Sequence, residues 1–176
     1  VIQSISKNNG CWEIVTKNKG EFRLKNLINC MPIHELFKYL DAPKKIRNTL
    51  NKLLYNSIYI VMINIKKDNI GDKFAIYVPD KKIIFHRLTK LKFLGDNYKN
   101  KDGSSTLLVE ITFRPGSDLS KKPISYIQKE VITGLVNCQF ITKEDVIKIS
   151  VEKHKYAYPI YDLNHRKNTD IIQKYL

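Results

Sequence analysis

The sequence predicts an α+β fold, in which helices flank a largely antiparallel mixed β-sheet and a small β-meander comes first. Two observations support this prediction. Segments such as 55–65 (YNSIYIVMINI) and 105–113 (STLLVEITF) are rich in β-branched residues and are separated from their neighbours by polar turns. Residues 123–138 instead repeat their apolar side chains at helical spacing. The chain therefore mixes both element types around what we expect to be a single main sheet.

The first thirty residues predict a three-stranded meander. Residues 1–6 (VIQSIS) and 11–16 (CWEIVT) alternate with the period of a strand, and the segment 7–10 (KNNG) between them is typical of a hairpin turn. A second turn, 17–20 (KNKG), leads to a third predicted strand at 21–30 (EFRLKNLINC). These strands are short and local in sequence, so we expect consecutive antiparallel pairing.

Two helices are predicted next, the first entered through Pro32 and the second following Pro43, since proline is accepted in a first helical turn. Each has one apolar stripe at helical spacing, and the stripes consist of Ile33, Leu36, Phe37 and Leu40, and of Ile46, Leu50, Leu53 and Leu54. The strand 55–65 that follows is almost continuously apolar, which predicts an inner strand covered on both faces.

The remaining elements complete the sheet and its helical cover. We predict strands at 74–79, 83–89, 105–113 and 146–155. The helix over 123–138 contains Gly134, which costs about 1 kcal/mol relative to alanine. Residues 142–145 (TKED) indicate a short capped turn, and Asp162 to Leu176 offers enough apolar residues for a terminal helix.

The net charge of the chain suggests nucleic acid as a partner, but the distribution of that charge argues against this partner. The 176 residues include 31 Lys and Arg against 17 Asp and Glu, a formal net charge of +14, so a basic nucleic-acid-binding α+β module is one hypothesis. The excess is +6, +4 and +4 in residues 1–60, 61–120 and 121–176, and only five basic residues are arginine. Phosphate-reading surfaces usually rely on arginine, so a lysine-rich solvated surface is the favoured interpretation and nucleic acid is not the expected partner.

The cysteines and histidines indicate neither a disulfide framework nor a metal site. Cys11, Cys30 and Cys138 are odd in number and far apart, without a CxxC pair or zinc-finger spacing. A reducing compartment fits this pattern, so we expect a cytoplasmic location. No apolar run is long enough to span a membrane, and no signal peptide is visible.

No catalytic motif is present, but one set of aromatic and basic residues is prominent on the predicted strands. There is no GxSxG sequence, no glycine-rich phosphate loop and no diagnostic carboxylate pair. Arg87 interrupts an apolar strand, so its guanidinium needs a carboxylate, a phosphate, backbone carbonyls or solvent. The accompanying aromatic residues fit either a core or a ligand-contact role, and they are Tyr77, Phe85, Tyr156, Tyr158 and Tyr161.

A series of short motifs in this order resembles a known superfamily. The motifs are NCMPIHEL, IYVPD, FHRLT, LLVEITFRPGSD, ITKEDV and YAYPIYDL. Together they are similar to the substrate-domain portion of FAD-dependent amine-oxidase and protoporphyrinogen-oxidase-like enzymes, and most closely to UDP-galactopyranose-mutase-like members. The resemblance extends over nearly the whole chain and implies the flavoprotein substrate-domain type of α+β fold.

The resemblance also implies a domain organisation and a cofactor. Residues 1–31 would be the end of the β-meander of an FAD domain, 32–162 the substrate-binding domain, and 163–176 a terminal helix leading back toward the FAD-binding part. FAD is the implied cofactor, although its GxGxxG site is absent from this chain and no cofactor-binding residue is expected in it. With Val1 in place of a starting methionine, we expect a fragment that is inactive alone and whose partner is the missing FAD-binding part.

For the site, the resemblance implies substrate-binding residues and no catalytic or metal-ligating ones. Tyr77 and Arg87 would face the ligand, with Arg87 on a diphosphate, and Tyr158 in the AYP segment would donate its hydroxyl to the same group. The implied substrate is a small anionic molecule such as a UDP-sugar, isomerised by a mutase. Because IYDL after AYP departs from the mutase pattern, an oxidase-like reaction is the alternative, as is a non-enzymatic relative that stands alone.

Overall fold

The computed structural model describes all residues from 1 to 176 and confirms the α+β class. The chain forms two compact units, Val1–Leu54 with Pro159–Leu176, and Tyr55–Tyr158. The strands are β1 Ile2–Asn8, β2 Cys11–Thr16, β3 Gly20–Leu24, β4 Tyr55–Ile65, β5 Ala75–Tyr77, β6 Arg87–Lys90, β7 Ser105–Phe113 and β8 Val146–Pro159. The α-helices are α1 Ile33–Leu36, α2 Lys44–Leu50, α3 Ile124–Asn137 and α4 His165–Tyr175. The domain boundaries expected after residues 31 and 162 remain a prediction.

The predicted meander is present in the first unit as a sheet with the order β1-β2-β3, paired antiparallel. Asn9 and Gly10 join β1 to β2 with φ angles of 48° and 75°, the left-handed conformation that a two-residue hairpin turn requires. The prediction that the third strand continues to residue 30 was wrong. The strand ends at Leu24, and the Asn29 side chain instead bonds the backbone N–H and carbonyl of Met31.

The first unit has a small apolar core to which its helices contribute. The predicted helix at 33–40 is shorter than its apolar stripe, because α1 ends at Leu36. Arg47 of α2 donates to the carbonyl oxygens of Phe37, Leu40 and Ala42, at 3.1, 2.8 and 3.0 Å, which satisfies the backbone after α1. The core residues are Ile5, Leu36, Phe37, Leu40, Ala42, Ile46, Leu50, Leu53 and Ile172. Leu54, predicted on the α2 stripe, is exposed.

The second unit is built on a five-stranded sheet with the order β5-β6-β7-β4-β8. The pairs β5–β6, β6–β7 and β7–β4 are antiparallel, as predicted. The predicted strands 74–79 and 83–89 are shorter in the structure, because a turn at Asp80 occupies part of the segment and Ile83, Ile84 and Phe85 pack against the core. The strand predicted at 146–155 continues to Pro159 as β8.

Helix α3 is close to its predicted bounds and belongs to the core of this sheet. Its fully buried residues Ile127, Val131 and Leu135 repeat every four positions and pack with the buried side chains of β4, β6 and β7. Residues Thr142 and Asp145 form the predicted capping box ahead of β8. None of the helices is both long enough and apolar enough to cross a lipid bilayer.

The prediction that β4 is covered on both faces was wrong. Its side chains alternate, and Tyr59, Val61 and Ile63 are fully buried on the face that packs with α3. On the opposite face, Ile60 is half-buried and Met62 is 39% exposed. We call this second side of the sheet the open face. It gives the second unit a partly apolar, partly exposed surface.

Candidate substrate-binding site

Three polar side chains form a row across the open face. Tyr77 of β5 pairs with Arg87 of β6, Arg87 pairs with Glu110 of β7, and Glu110 pairs with Ile60 of β4. Directly paired residues on antiparallel strands present their side chains on the same face. Tyr77, Arg87 and Glu110 therefore lie side by side, and we call them the polar row.

An ion pair joins Arg87 to Glu110 within the polar row. Arg87 Nη2 lies 2.5 Å from Glu110 Oε1, with the Arg87 side chain 38% exposed and that of Glu110 11% exposed. His86 Nε2 is 3.8 Å from the other carboxylate oxygen of Glu110. The hydrogen bonds that Arg87 donates to the Glu110 carboxylate and, to a lesser extent, to the Tyr77 hydroxyl raise the pKa of Arg87 above its already high ordinary value. Arg87 therefore remains charged at every accessible pH.

The contact between Arg87 and Tyr77 is looser and more exposed. Arg87 Nη1 lies 3.4 Å from the Tyr77 hydroxyl, and the guanidinium carbon is 5.9 Å from the centroid of the Tyr77 ring. Tyr77 is 69% exposed. The Nε atom of Arg87 is buried and has no hydrogen-bond partner in the structure. Since Nη2 is held by Glu110, the Nη1 atom and the Tyr77 hydroxyl are the donors that remain toward solvent.

Glu110 is the member of the polar row that sequence reasoning missed. The signal was present, because Glu110 is the single charged residue of the strand LLVEITF, as Arg87 is of its strand IIFHRLT. Two opposite charges that each interrupt an apolar strand are candidates for a cross-strand pair. The register that aligns them depends on the pairing of β6 with β7, which is not local in sequence.

The structure brings Tyr77 and Arg87 together but places Tyr158 elsewhere in the same unit. Tyr158 lies on β8, at the opposite edge of the sheet from β5, and is 63% exposed. Three interstrand steps separate β6 from β8, which is roughly 14 Å at about 4.8 Å per step. Tyr158 and Arg87 are therefore too far apart to contact one small group, and a ligand that touched both would have to extend across the sheet.

The other aromatic residues singled out in the sequence contact side chains or backbone of the protein itself. Phe85 is buried against α3, and its ring edge lies beside Gly134. The ring of Tyr156 packs on that of Tyr55 with centroids 4.6 Å apart. In the first unit, Tyr161 makes an edge contact with His165, also at 4.6 Å. Phe85 therefore has a packing role, whereas Tyr161 is 69% exposed in spite of its ring contact.

Comparison with solved structures identifies the fold. No protein-family model matches the chain, and no curated protein matches it in sequence. Over 99% of its length the chain matches 37% of a structure of reduced UDP-galactopyranose mutase, with a TM-score of 0.82 and 17% identity. It also matches a protein from Exiguobacterium sp. 255-15 assigned as a protoporphyrinogen oxidase, with a TM-score of 0.69 and 16% identity over 98% of this chain and 38% of that one.

A putrescine oxidase bound to putrescine is a further match, with a TM-score of 0.65 and 11% identity over 96% of this chain and 39% of that one. In fold, the chain is therefore similar to a part of each of these three structures, and this likeness agrees with the resemblance seen in the motifs. Of the three structures, the UDP-galactopyranose mutase has the highest TM-score and identity. The chain spans less than two fifths of the length of each of them.

Proposed function

We propose that this chain is the substrate-binding portion of an FAD-dependent enzyme of the amine-oxidase superfamily and that its substrate is a UDP-sugar. The fold match to reduced UDP-galactopyranose mutase over 99% of the chain is the observation that carries the proposal. The polar row supports it, because an arginine and a tyrosine hydroxyl side by side on rigid strands can bind a diphosphate.

In this proposal a ligand diphosphate contacts Arg87 through Nη1 and receives a hydrogen bond from the Tyr77 hydroxyl. The carboxylate of Glu110 continues to accept the hydrogen bond from Nη2 of Arg87, and so holds the guanidinium in a fixed plane on the open face. The carboxylate also offsets part of the positive charge of Arg87, so the site attracts a dianionic group less strongly than an isolated arginine would. Tyr158 would contact a more distant part of the same extended ligand.

The residues of this chain do not fit the role of holding FAD. None of its seven glycines forms GxGxxG, the turn that lets a helix N-terminus approach the pyrophosphate of a dinucleotide. We therefore propose that FAD belongs to another part of the protein and supplies the redox or covalent chemistry. The contribution of this chain is to bind and orient the substrate against it, in the reducing, cytoplasmic compartment that three free cysteines suit.

The flavin part of this proposal is tested with the full-length product of the gene. That protein should purify yellow, with a flavin absorbance spectrum and FAD released on denaturation. A full-length protein that is colourless and has no dinucleotide-binding motif in its coding sequence would contradict the proposal and support the non-enzymatic alternative.

The substrate part is tested by titrating UDP into the 176-residue protein and following the NMR signals of Tyr77 and Arg87. Arg87→Ala should weaken UDP binding by about 2 kcal/mol, roughly 30-fold, because a charge-assisted hydrogen bond is lost. Arg114→Ala is the matched control, since Arg114 is an exposed arginine of the same unit and outside the polar row. Equal affinities for the wild type and Arg87→Ala, or equal losses in both variants, would refute the role of Arg87.

A further inference from the structure

A basic groove lies in the first unit, and none of its lining residues belongs to the polar row. It is a groove of about 950 Å³ between α2 and α4. Four lysines line it, with the buried side chain of Asn168 and with Asp162 as its only acidic residue. The four lysines are Lys44, Lys45, Lys52 and Lys167. We call this the lysine groove.

The lysines of the groove have no compensating carboxylate. None of the four ammonium groups lies within ion-pair distance of an acidic side chain, although lysines elsewhere, such as Lys38, Lys90 and Lys99, are paired. The carboxylate of Asp162 accepts the backbone N–H of Asn164 at 3.0 Å. The lining therefore has a net charge of +3, which attracts anions to the groove.

Asn168 adds a neutral hydrogen-bond donor to the wall of the groove. It is 6% exposed, and its backbone N–H bonds the carbonyl oxygen of Asn164 at 3.0 Å. Its side-chain amide makes no hydrogen bond within the protein, although it lies in the wall of the groove. The amide atoms are not among the buried atoms that lack a hydrogen-bond partner, so they reach the solvent in the groove and can donate to a ligand oxygen there.

The size of the groove lies within the range for small-molecule sites. A volume of about 950 Å³ is at the upper end of the range for small-molecule sites. All four lysines line this one groove, whereas a nucleic-acid backbone would need basic residues along an extended track. The groove also includes the first turn of α4, where the helix dipole adds positive partial charge.

We infer that the lysine groove is a second anion-binding site, which takes a small molecule carrying a diphosphate or longer phosphate chain. The lysines supply the charge, and the amide of Asn168 donates a hydrogen bond that fixes the orientation of one phosphate. This site is independent of the proposed UDP-sugar site, because every residue that lines it belongs to the first unit.

Isothermal titration of the 176-residue protein with pyrophosphate at low salt tests the inference. We expect Lys167→Gln and Asn168→Leu each to weaken binding at least fivefold, since the first removes a charge and the second removes the amide at nearly constant size. Lys148→Gln is the matched control, because Lys148 is an exposed lysine of β8 outside the groove. It should change the affinity less than twofold. Inorganic phosphate should bind more weakly than pyrophosphate.

NMR of the wild-type protein tests the same inference without relying on the stability of any variant. In the wild type, the side-chain amide signals of Asn168 should shift on addition of pyrophosphate and not on addition of chloride at equal ionic strength. Equal losses in Lys167→Gln and Lys148→Gln, or an unshifted Asn168 amide, would overturn the inference. So would tighter binding of a single-stranded oligonucleotide that depends equally on Lys148 and Lys167. Loss of pyrophosphate binding in Arg87→Ala alone would assign the ligand to the polar row and not to the groove.

Discussion

The Cβ position that Gly134 leaves empty lies 2.9 Å from Cε1 of Phe85 and 3.3 Å from Cγ2 of Ile83. Phe85 is buried, so its ring cannot move aside without disturbing the core between α3 and the sheet. The glycine that looks unfavourable in the sequence of α3 is therefore required by packing.

Gly134→Ala should lower the free energy of unfolding by about 1 kcal/mol, because overpacking costs about 1–3 kcal/mol and the gain in helix propensity returns about 1 kcal/mol. Chemical denaturation measures it. Thr133→Ala, at an exposed position of the same helix, should have no such cost. A second variant with Phe85→Leu in the Gly134→Ala background should recover part of the loss. Greater stability of Gly134→Ala than of the wild type would contradict this interpretation.

The Arg87–Glu110 pair should contribute measurably to stability. One partner is half-exposed and the other is nearly buried, so its coupling should lie between that of surface pairs and that of buried pairs, at about 1–2 kcal/mol. A double-mutant cycle with Arg87→Met and Glu110→Gln measures this energy. The exposed pair Lys99–Asp96 is the control and should give less than about 0.5 kcal/mol. Equal coupling energies for the two pairs would show that burial of Glu110 does not strengthen its ion pair with Arg87.

A buried ion pair ties the loop after β4 to β6. Lys90 Nζ lies 2.7 Å from Asp68 Oδ1 and 2.9 Å from the carbonyl oxygen of Gly71, and both side chains are less than a tenth exposed. Lys90→Met should destabilise the protein by about 3 kcal/mol or more, because it leaves the Asp68 carboxylate buried and unpaired. Lys90→Met with Asp68→Leu should be closer to the wild type. Hydrogen exchange should show faster opening of the loop around Gly71 in the single variant. An unchanged exchange rate there would contradict the proposed stabilisation of the loop by this ion pair.

Asp145 should contribute a pH-dependent part of the stability. The backbone N–H and the hydroxyl of Thr142 both donate to its carboxylate at 2.8 Å and lower the pKa of Asp145 below its ordinary value. A carboxyl with a lowered pKa in the folded state adds stability above its unfolded-state pKa of about 3.9, and this is lost as the pH falls through the lower folded-state value.

Denaturation midpoints measured from neutral pH down to acid should therefore fall less steeply for Asp145→Asn than for the wild type. Asp118→Asn is the control, because the Asp118 side chain is almost fully exposed and its contact with Lys121 is long, at 3.9 Å. Parallel pH profiles for the wild type and Asp145→Asn would contradict the capping role of this carboxylate.

Cys30 and Cys138 should differ in their reactivity toward iodoacetamide. Cys30 is exposed, whereas burial, and to a lesser extent the nearby charge of Asp80, raise the pKa of the Cys138 thiol. A raised pKa lowers the fraction of reactive thiolate, so Cys138 should be alkylated at least tenfold more slowly than Cys30. Mass spectrometry of a labelling time course measures both rates, and Cys30→Ser identifies the fast one. Equal rates would show that Cys138 is not shielded.

Much of the local structure could be predicted because its determinants are close together in the chain. The Asn9–Gly10 turn, the stripe of Ile127, Val131 and Leu135 and the Thr142–Asp145 capping box all depend on residues within a few positions or turns of each other. The order of short motifs was enough to predict the fold class, which comparison with solved structures confirms. Of the expected site residues, Tyr77 and Arg87 are adjacent because they are separated by a single strand-to-strand connection.

Only the tertiary structure decided the features that depend on distant pairing. The register of β6 with β7 places Glu110 beside Arg87, and the strand order places Tyr158 at the opposite edge of the sheet. The same packing makes Gly134 a requirement and leaves one face of β4 open. The physical reason is that local sequence sets the periodicity of each element, whereas backbone hydrogen bonds between distant strands and the close packing of α3 with the sheet select which residues meet.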